Sequence, residues 1–96
     1  MESRALLSDP ALVVRSLAVE TLIADGDPSE IRPVLWQELD QPRNFHKNKS
    51  LWIRGQILEY LRRQPLPKEK DHWSQLLRDP DQKIKTVAKY ALTALQ

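Results

Sequence analysis

Residues Leu6 to Arg15 read LLSDPALVVR, and residues Leu76 to Lys85 read LLRDPDQKIK. No other feature of the chain constrains its fold as strongly as this echo. Laid over one another, residues 6–22 and 76–92 share both leucines, the Asp-Pro pair, Ala18 with Ala88 and Leu22 with Leu92. Val14/Ile84, Arg15/Lys85, Ser16/Thr86 and Leu17/Val87 are conservative pairs. An offset of 70 is two periods of 35, which predicts a third copy midway. The segment LDQPRNFHKNKSLWIRGQILEYL supplies it, with Gln41-Pro42 for Asp-Pro and Ile53-Arg54 for Val-Arg. Seven extra residues lie between those two marks, so the middle copy has the longer turn.

The aligned columns describe helices. A β-branched residue precedes the basic one each time (Val14, Ile53, Ile84), and a small or slim one follows it (Ser16, Gly55, Thr86). Counting from the basic residue, positions −1, +3 and +7 are four apart and fall on one helical stripe. The three stripes are Val14-Ala18-Leu22, Ile53-Ile57-Leu61 and Ile84-Ala88-Leu92. Gly55 costs its helix about 1 kcal/mol relative to alanine. Either a close neighbouring helix or a tolerant exposed face accounts for it.

A second amphipathic helix precedes each of these. Asp27-Pro28-Ser29-Glu30 is a start signal, with Asp27 as N-cap, Pro28 in the first turn and Glu30 placed for a capping box. Ile31, Val34, Leu35 and Leu39 follow at helical spacing. Pro65-Leu66-Pro67 breaks the chain before the apolar face of Trp73, Leu76 and Leu77. Asp9-Pro10 and Asp79-Pro80 read as N-cap plus first-turn proline. No segment alternates with period two. The expected fold is all-α, an α-solenoid of about three helical hairpins with units near 1–26, 27–64 and 65–96. The leading helix of the first unit is a stub, Ser3 to Ser8.

At LLxDPxxxVRxxAxxxL the chain resembles a HEAT repeat, and its Asp-Pro turn is most like the HEAT-like units of the phycobilisome-lyase type in bacterial proteins. The resemblance implies an armadillo-like superhelix that serves protein binding. It also implies a ladder in which turn aspartates and Val-Arg arginines link neighbouring repeats. Carried onto this sequence, the ladder residues are Asp9, Arg15, Arg54, Asp79 and Lys85, with Asp40 as substitute at the irregular turn. The last helix, with Lys83, Lys85 and Lys89, looks like a polar cap. The helix of the first copy is apolar on more than one side through Leu12, Val13 and Val19. That combination suggests the C-terminal end of a longer repeat protein, or a face for self-association.

Composition narrows function mainly by exclusion. The chain has no cysteine and only two glycines, so it offers neither a thiolate metal site nor a phosphate-cradling loop. His46 and His72 lie 26 residues apart, and neither has a carboxylate or histidine at helical metal-ligand spacing. Asp71 and His72 are helical neighbours and point in different directions. Asp25/Asp27 and Asp79/Asp81 flank turns and read as caps. No serine sits in a Gly-x-Ser-x-Gly elbow. The expectation is a chain without catalysis, metal or cofactor; the lyase-type resemblance leaves a chromophore-lyase subunit as the weakest reading. The apolar run Ala11–Val14 is far short of the about 20 residues a bilayer span needs. With no signal-peptide pattern at the N-terminus, a cytoplasmic setting is expected.

Charge is distributed unevenly. Residues 1–42 hold three basic and eight acidic side chains, and residues 43–96 hold twelve basic and five acidic. The basic surplus clusters about the second unit, in Arg43, Lys47, Lys49, Arg54, Arg62, Arg63, Lys68 and Lys70. Phe45, Trp52, Tyr60 and Trp73 are interleaved with them, which suits nucleic-acid binding as an alternative. Trp36, Trp52 and Trp73 are otherwise expected to pack between helices. The preferred reading is a protein-interaction scaffold whose partner engages the irregular turn Pro42–Ser50 and the adjoining basic face. Its site residues are Arg43, Phe45, His46, Lys47, Lys49, Arg62 and Arg63. Replacing Arg43, Lys47 and Lys49 by alanine is expected to weaken binding without unfolding.

Overall fold

The computed structural model describes residues 11–46 and 49–96. The described chain is mostly helical. Helix α1 spans Leu12–Asp25 and ends where the Gly26 N–H donates to the Leu22 carbonyl at 2.8 Å. Helix α2, Pro28–Leu39, starts at Asp27, whose carboxylate accepts from the Ser29 backbone N–H and hydroxyl at 2.9 and 2.8 Å. Helix α3 spans Trp52–Arg62, α4 spans Lys70–Leu76 and α5 spans Gln82–Ala94. Short 3-10 turns at Pro42–Asn44 and Pro67–Glu69 lead out of α2 and into α4.

Two expectations about local structure change. The insertion of the middle copy holds a small antiparallel ladder, strands β1 (Phe45–His46) and β2 (Lys49–Ser50), with Phe45 opposite Ser50 and His46 opposite Lys49. Such a pair is too short for period-two alternation to register in the sequence. Asp79 is not the N-cap of the last helix. Asp81 takes that place, accepting from the Lys83 N–H at 2.9 Å, while Asp79 accepts from the Asp81 N–H at 2.9 Å. The helix thus begins two residues after Pro80. In the first copy α1 likewise starts two residues after Pro10; Asp9, Pro10 and the Ser3–Ser8 stub lie outside the described residues.

Helix α1 packs against α3, and α3 against α5; α2 lies against α1 and α3, and α4 against α5. Ser16, in the second turn of α1, bonds Gln56, in the second turn of α3, through its hydroxyl (2.9 Å) and carbonyl (3.0 Å). Arg54, in the first turn of α3, bonds Asp79 just ahead of α5. The three helices therefore begin at the same end and run side by side. The Cα extents are 40 × 33 × 15 Å. The thin dimension suits two helix layers, about 8–10 Å apart between axes with a Cα radius near 2.3 Å.

The core lies between those layers. Ile53, Ile57 and Leu61 on α3 are fully buried because α3 has a neighbour on both sides. On α1, Ala18 and Val19 are buried while Leu22 is half-buried; on α5, Ile84 and Ala88 are buried and Leu92 is half-buried. Leu35, Leu39, Trp36, Trp73 and Leu76 close the core from the second layer. Trp36 and Trp73 meet edge to face at 4.9 Å, and His72 stacks on Trp36 at 4.5 Å. Trp52 departs from the expected packing role and is 60% exposed. No neighbour approaches Gly55 either: a Cβ there would meet nothing within 4 Å. Among the described residues, no helix is long and apolar enough to cross a membrane.

Candidate partner-binding surface

Three buried arginines join successive parts of the fold. Arg54, with no exposed surface, donates from Nε to the Leu39 carbonyl at 3.0 Å and from Nη1 to the Ser50 hydroxyl at 2.7 Å. Its Nη1 and Nη2 hold both oxygens of buried Asp79 at 3.2 and 2.7 Å, and its guanidinium lies 4.1 Å from the Phe45 ring centroid. Arg32 forms a buried fork with Glu69 (Nε at 2.9 Å, Nη2 at 2.5 Å) and donates to the Gln64 carbonyl at 3.1 Å. That pair ties α2 to the turn entering α4, and Arg32 Nη2 also reaches the Leu61 carbonyl, freed in the last turn of α3, at 3.4 Å. The planar five-donor fork of arginine is what permits such saturation in a buried site.

The third junction differs. Arg15 donates from Nη2 to the Arg43 carbonyl at 2.8 Å and from Nε to the Asn44 side-chain oxygen at 3.3 Å. The Asn44 amide nitrogen in turn donates to the Glu38 carbonyl at 2.6 Å and to its carboxylate at 2.9 Å. Arg43 completes the cluster with a fork on Glu38 at 3.0 and 2.5 Å. Asn44 thus meets Arg15 as Asp79 meets Arg54. Asp40 is not the substitute at this turn; it is exposed and stands 3.7 Å from Arg54. Sequence reading missed Asn44 because the seven-residue insertion moves the acceptor beyond the Gln-Pro step. Its only signal is an amide residue at the end of a proline-led turn. Lys85 is half-buried, and among the described residues no carboxylate lies within 4.0 Å of its ammonium group.

The expected partner-binding residues divide into anchored and free ones. Arg43 is committed to the buried Glu38 carboxylate, with its own side chain a third exposed. Phe45 is half-buried beneath Arg54. His46 and Lys49 are exposed, and Lys47 lies outside the described residues. Arg62 and Arg63 sit together at the far end of α3. Arg62 forks Glu59 at 2.8 and 2.7 Å, and Arg63 approaches the same carboxylate at 4.0 Å. The Arg62 bond, more than the charges of the two arginines, holds the Glu59 carboxyl below its ordinary range. The strand pair thus presents His46 and Lys49 outward while Arg43, Asn44 and Phe45 turn in. The Arg43, Lys47, Lys49 triple alanine variant would therefore also strip Glu38 of a partner.

The nucleic-acid set is dispersed by the same geometry. Arg54 and Trp73 are fully buried, Tyr60 packs partly into the core and Phe45 lies under a guanidinium. Of the four interleaved aromatics, only Trp52 is exposed. Among the described residues, no three His, Cys, Asp or Glu side chains gather to hold a metal ion. His72 is spent on Trp36, and Asp71 makes no bond to it. A cleft of about 440 Å³ between the ends of α1 and α3 is lined by Ile23, Pro28, Tyr60, Arg63, Leu66 and Lys68, with the Arg32–Glu69 pair in its wall. A second, of about 230 Å³, lies between Trp36, His72, Arg78 and Pro80. Neither holds an arrangement of nucleophile, base and oxyanion donor. No family model, curated protein or solved structure matches the chain.

Proposed function

We propose that this chain is a HEAT-like helical-repeat scaffold that binds a protein partner. The observation that carries this reading is the recurrence of one buried junction at equivalent points. An arginine early in each of α1 and α3 grips an amide or carboxylate in the turn ahead of the next helix of the same row. Such repeated links build a rigid array in which each unit contacts its neighbours, the arrangement that repeat proteins use to present extended binding surfaces. The buried chemistry is spent on joining units, which leaves the surface for recognition. The strand pair projecting His46 and Lys49 from a clipped base adds a distinct feature on that surface.

A photo-crosslinking residue placed at Lys49 in the full chain tests the proposal in cells of the source organism. The expected result is a covalent adduct with a defined protein, whose purified form binds the chain and binds the Lys49→Glu variant more weakly. Adducts with nucleic acid alone would overturn it.

A further inference from the structure

The larger cleft, at the end of α3, holds polar groups that the fold leaves unused. Arg32 stands in its wall with 7% of its side chain exposed. Its Nε and Nη2 bond Glu69 and the Leu61 and Gln64 carbonyls. Its Nη1 has no partner among the described residues and is not enclosed by protein. A guanidinium nitrogen with two N–H groups therefore opens on the cleft from a buried side chain. Pro33 adds an acceptor. Lying inside α2, it has no N–H for the Ser29 carbonyl four residues before it, and both residues line the cleft.

The remaining walls divide by chemistry. Ile23 from the last turn of α1, Pro28 and Pro33 from α2 and Leu66 from the loop before α4 supply apolar surface. Tyr60, in the last turn of α3, is half-buried, and its hydroxyl bonds nothing among the described residues. Lys68 has no carboxylate within 4.0 Å among the described residues. Arg63 comes only to 4.0 Å from Glu59, which Arg62 already holds.

The charge of the lining is positive. Arg32, Arg63 and Lys68 stand against one carboxylate, Glu69, which Arg32 forks. Asp25, Asp27, Glu30 and Glu59 lie at the same end of the molecule but outside the lining, with Asp27 turned onto Ser29. Helix α2 begins where α1 ends, so dipole ends of both signs meet at the cleft and largely cancel. The side chains therefore decide which charge is drawn in.

The volume of 440 Å³ lies within the range of ligand pockets, about 300–1,000 Å³. A fitting group brings an anion to Arg32 Nη1, Tyr60, Arg63 and Lys68, an apolar body to the prolines, Ile23 and Leu66, and a donor to the Ser29 carbonyl. The last residue of a polypeptide carries all three, as α-carboxylate, side chain and backbone N–H. A fatty acid lacks the N–H, and a phosphodiester has no apolar group beside its charge.

We propose that this cleft binds the carboxyl terminus of a partner protein that ends in a large apolar residue. This rests on the protein-binding reading above and names a second surface and the chemistry it selects. The terminal carboxylate meets the Arg32 nitrogen and the Tyr60 hydroxyl, with Arg63 and Lys68 at the rim, while the side chain covers Ile23 and Leu66.

Random heptapeptides displayed with free carboxyl termini and selected on the full chain test it. The expected consensus ends in a large aliphatic or aromatic residue. Its synthetic free acid should bind at least about tenfold more tightly than its amide in fluorescence polarisation at low salt. A combined Arg63→Ala, Lys68→Ala variant should bind the acid about tenfold more weakly, Tyr60→Phe about threefold more weakly, and Leu77→Ala, at the far end of α4, equally well. Arg32 is left intact because it also holds α2 to α4, and melting curves confirm that each variant folds. An amide that binds as well as the acid would overturn the carboxylate assignment. Peptides indifferent to the cleft substitutions would overturn the cleft. Failure to enrich any peptide, with octanoate shifting the amide resonances of Ile23 and Tyr60, would overturn the polypeptide as occupant. None of these outcomes touches the protein-binding reading, which the crosslink at Lys49 decides separately.

Discussion

Removing the Arg54 side chain is the severest single test of how this fold is held together. The guanidinium is wholly enclosed and spends its donors on the Leu39 carbonyl, the Ser50 hydroxyl and both Asp79 oxygens. Arg54→Ala leaves the Asp79 carboxylate, itself 8% exposed, without its counter-charge and the Leu39 carbonyl without a donor. Breaking a buried pair from one side costs about 3–5 kcal/mol. A domain of this size has only about 5–15 kcal/mol in total, and each kilocalorie moves the melting point by roughly 4–8 °C. Urea titrations followed by far-ultraviolet circular dichroism should show the midpoint falling with little change in slope. Arg54→Met combined with Asp79→Leu removes both charges and should recover part of the loss, the Leu39 carbonyl and the Asp81 N–H still lacking their partners. A loss below about 1 kcal/mol for Arg54→Ala, or a double variant no better than the single, would refute the junction as a paired and buried element.

Asn44→Asp should destabilise by about 1–3 kcal/mol, because a carboxylate there loses the two bonds to Glu38 and faces its charge, a loss only partly offset by the Arg15 guanidinium; denaturant midpoints measure it. The two glycines should respond with opposite signs. Gly55→Ala gains about 1 kcal/mol, while Gly26→Ala loses about 1–3 kcal/mol, since its Cβ would stand 2.6 Å from the Leu22 carbonyl oxygen and against Ile31; thermal melts distinguish them. Asp27 and Glu59 are held below their ordinary values, Asp27 first by the Ser29 hydroxyl and Glu59 first by Arg62. Their contribution is therefore complete above the unfolded carboxylate range and is lost as pH falls through the depressed folded values. An Asp27→Asn, Glu59→Gln variant should show a shallower loss of melting temperature on acidification than the parent.

The helices were legible because their signals are local. Caps such as Asp27 and stripes such as Ile53-Ile57-Leu61 act within a few residues, and the repeat fixed which helices are equivalent. The interior of the insertion was not legible. Its strand pair is two residues long on each side, and Asn44 gains its role only when Arg15 arrives from 29 positions away. Trp52 and Trp73 show the same limit. Both carry an indole amid basic neighbours, yet one is 60% exposed and the other fully buried. Helical register separates them once the core stripe is known: Trp52 lies opposite Ile53-Ile57-Leu61, and Trp73 lies with Leu76. Composition alone placed Arg43, Phe45 and Arg54 on a binding surface, and only tertiary contact shows that they are anchored.

The strand pair is fastened at its foot. The Leu51 N–H donates to the Asn44 carbonyl at 3.0 Å, and Ser50 is held by Arg54. The ends of the strand pair at Phe45 and Ser50 are thereby held by the arginine junction beneath them. Evolution or an engineer can exchange the link between His46 and Lys49, lengthen it or graft a foreign epitope into it while the helices beneath keep their spacing. The same clip that stiffens the foot of the strand pair makes it the place where a new segment can be inserted without the helices relearning how to fold.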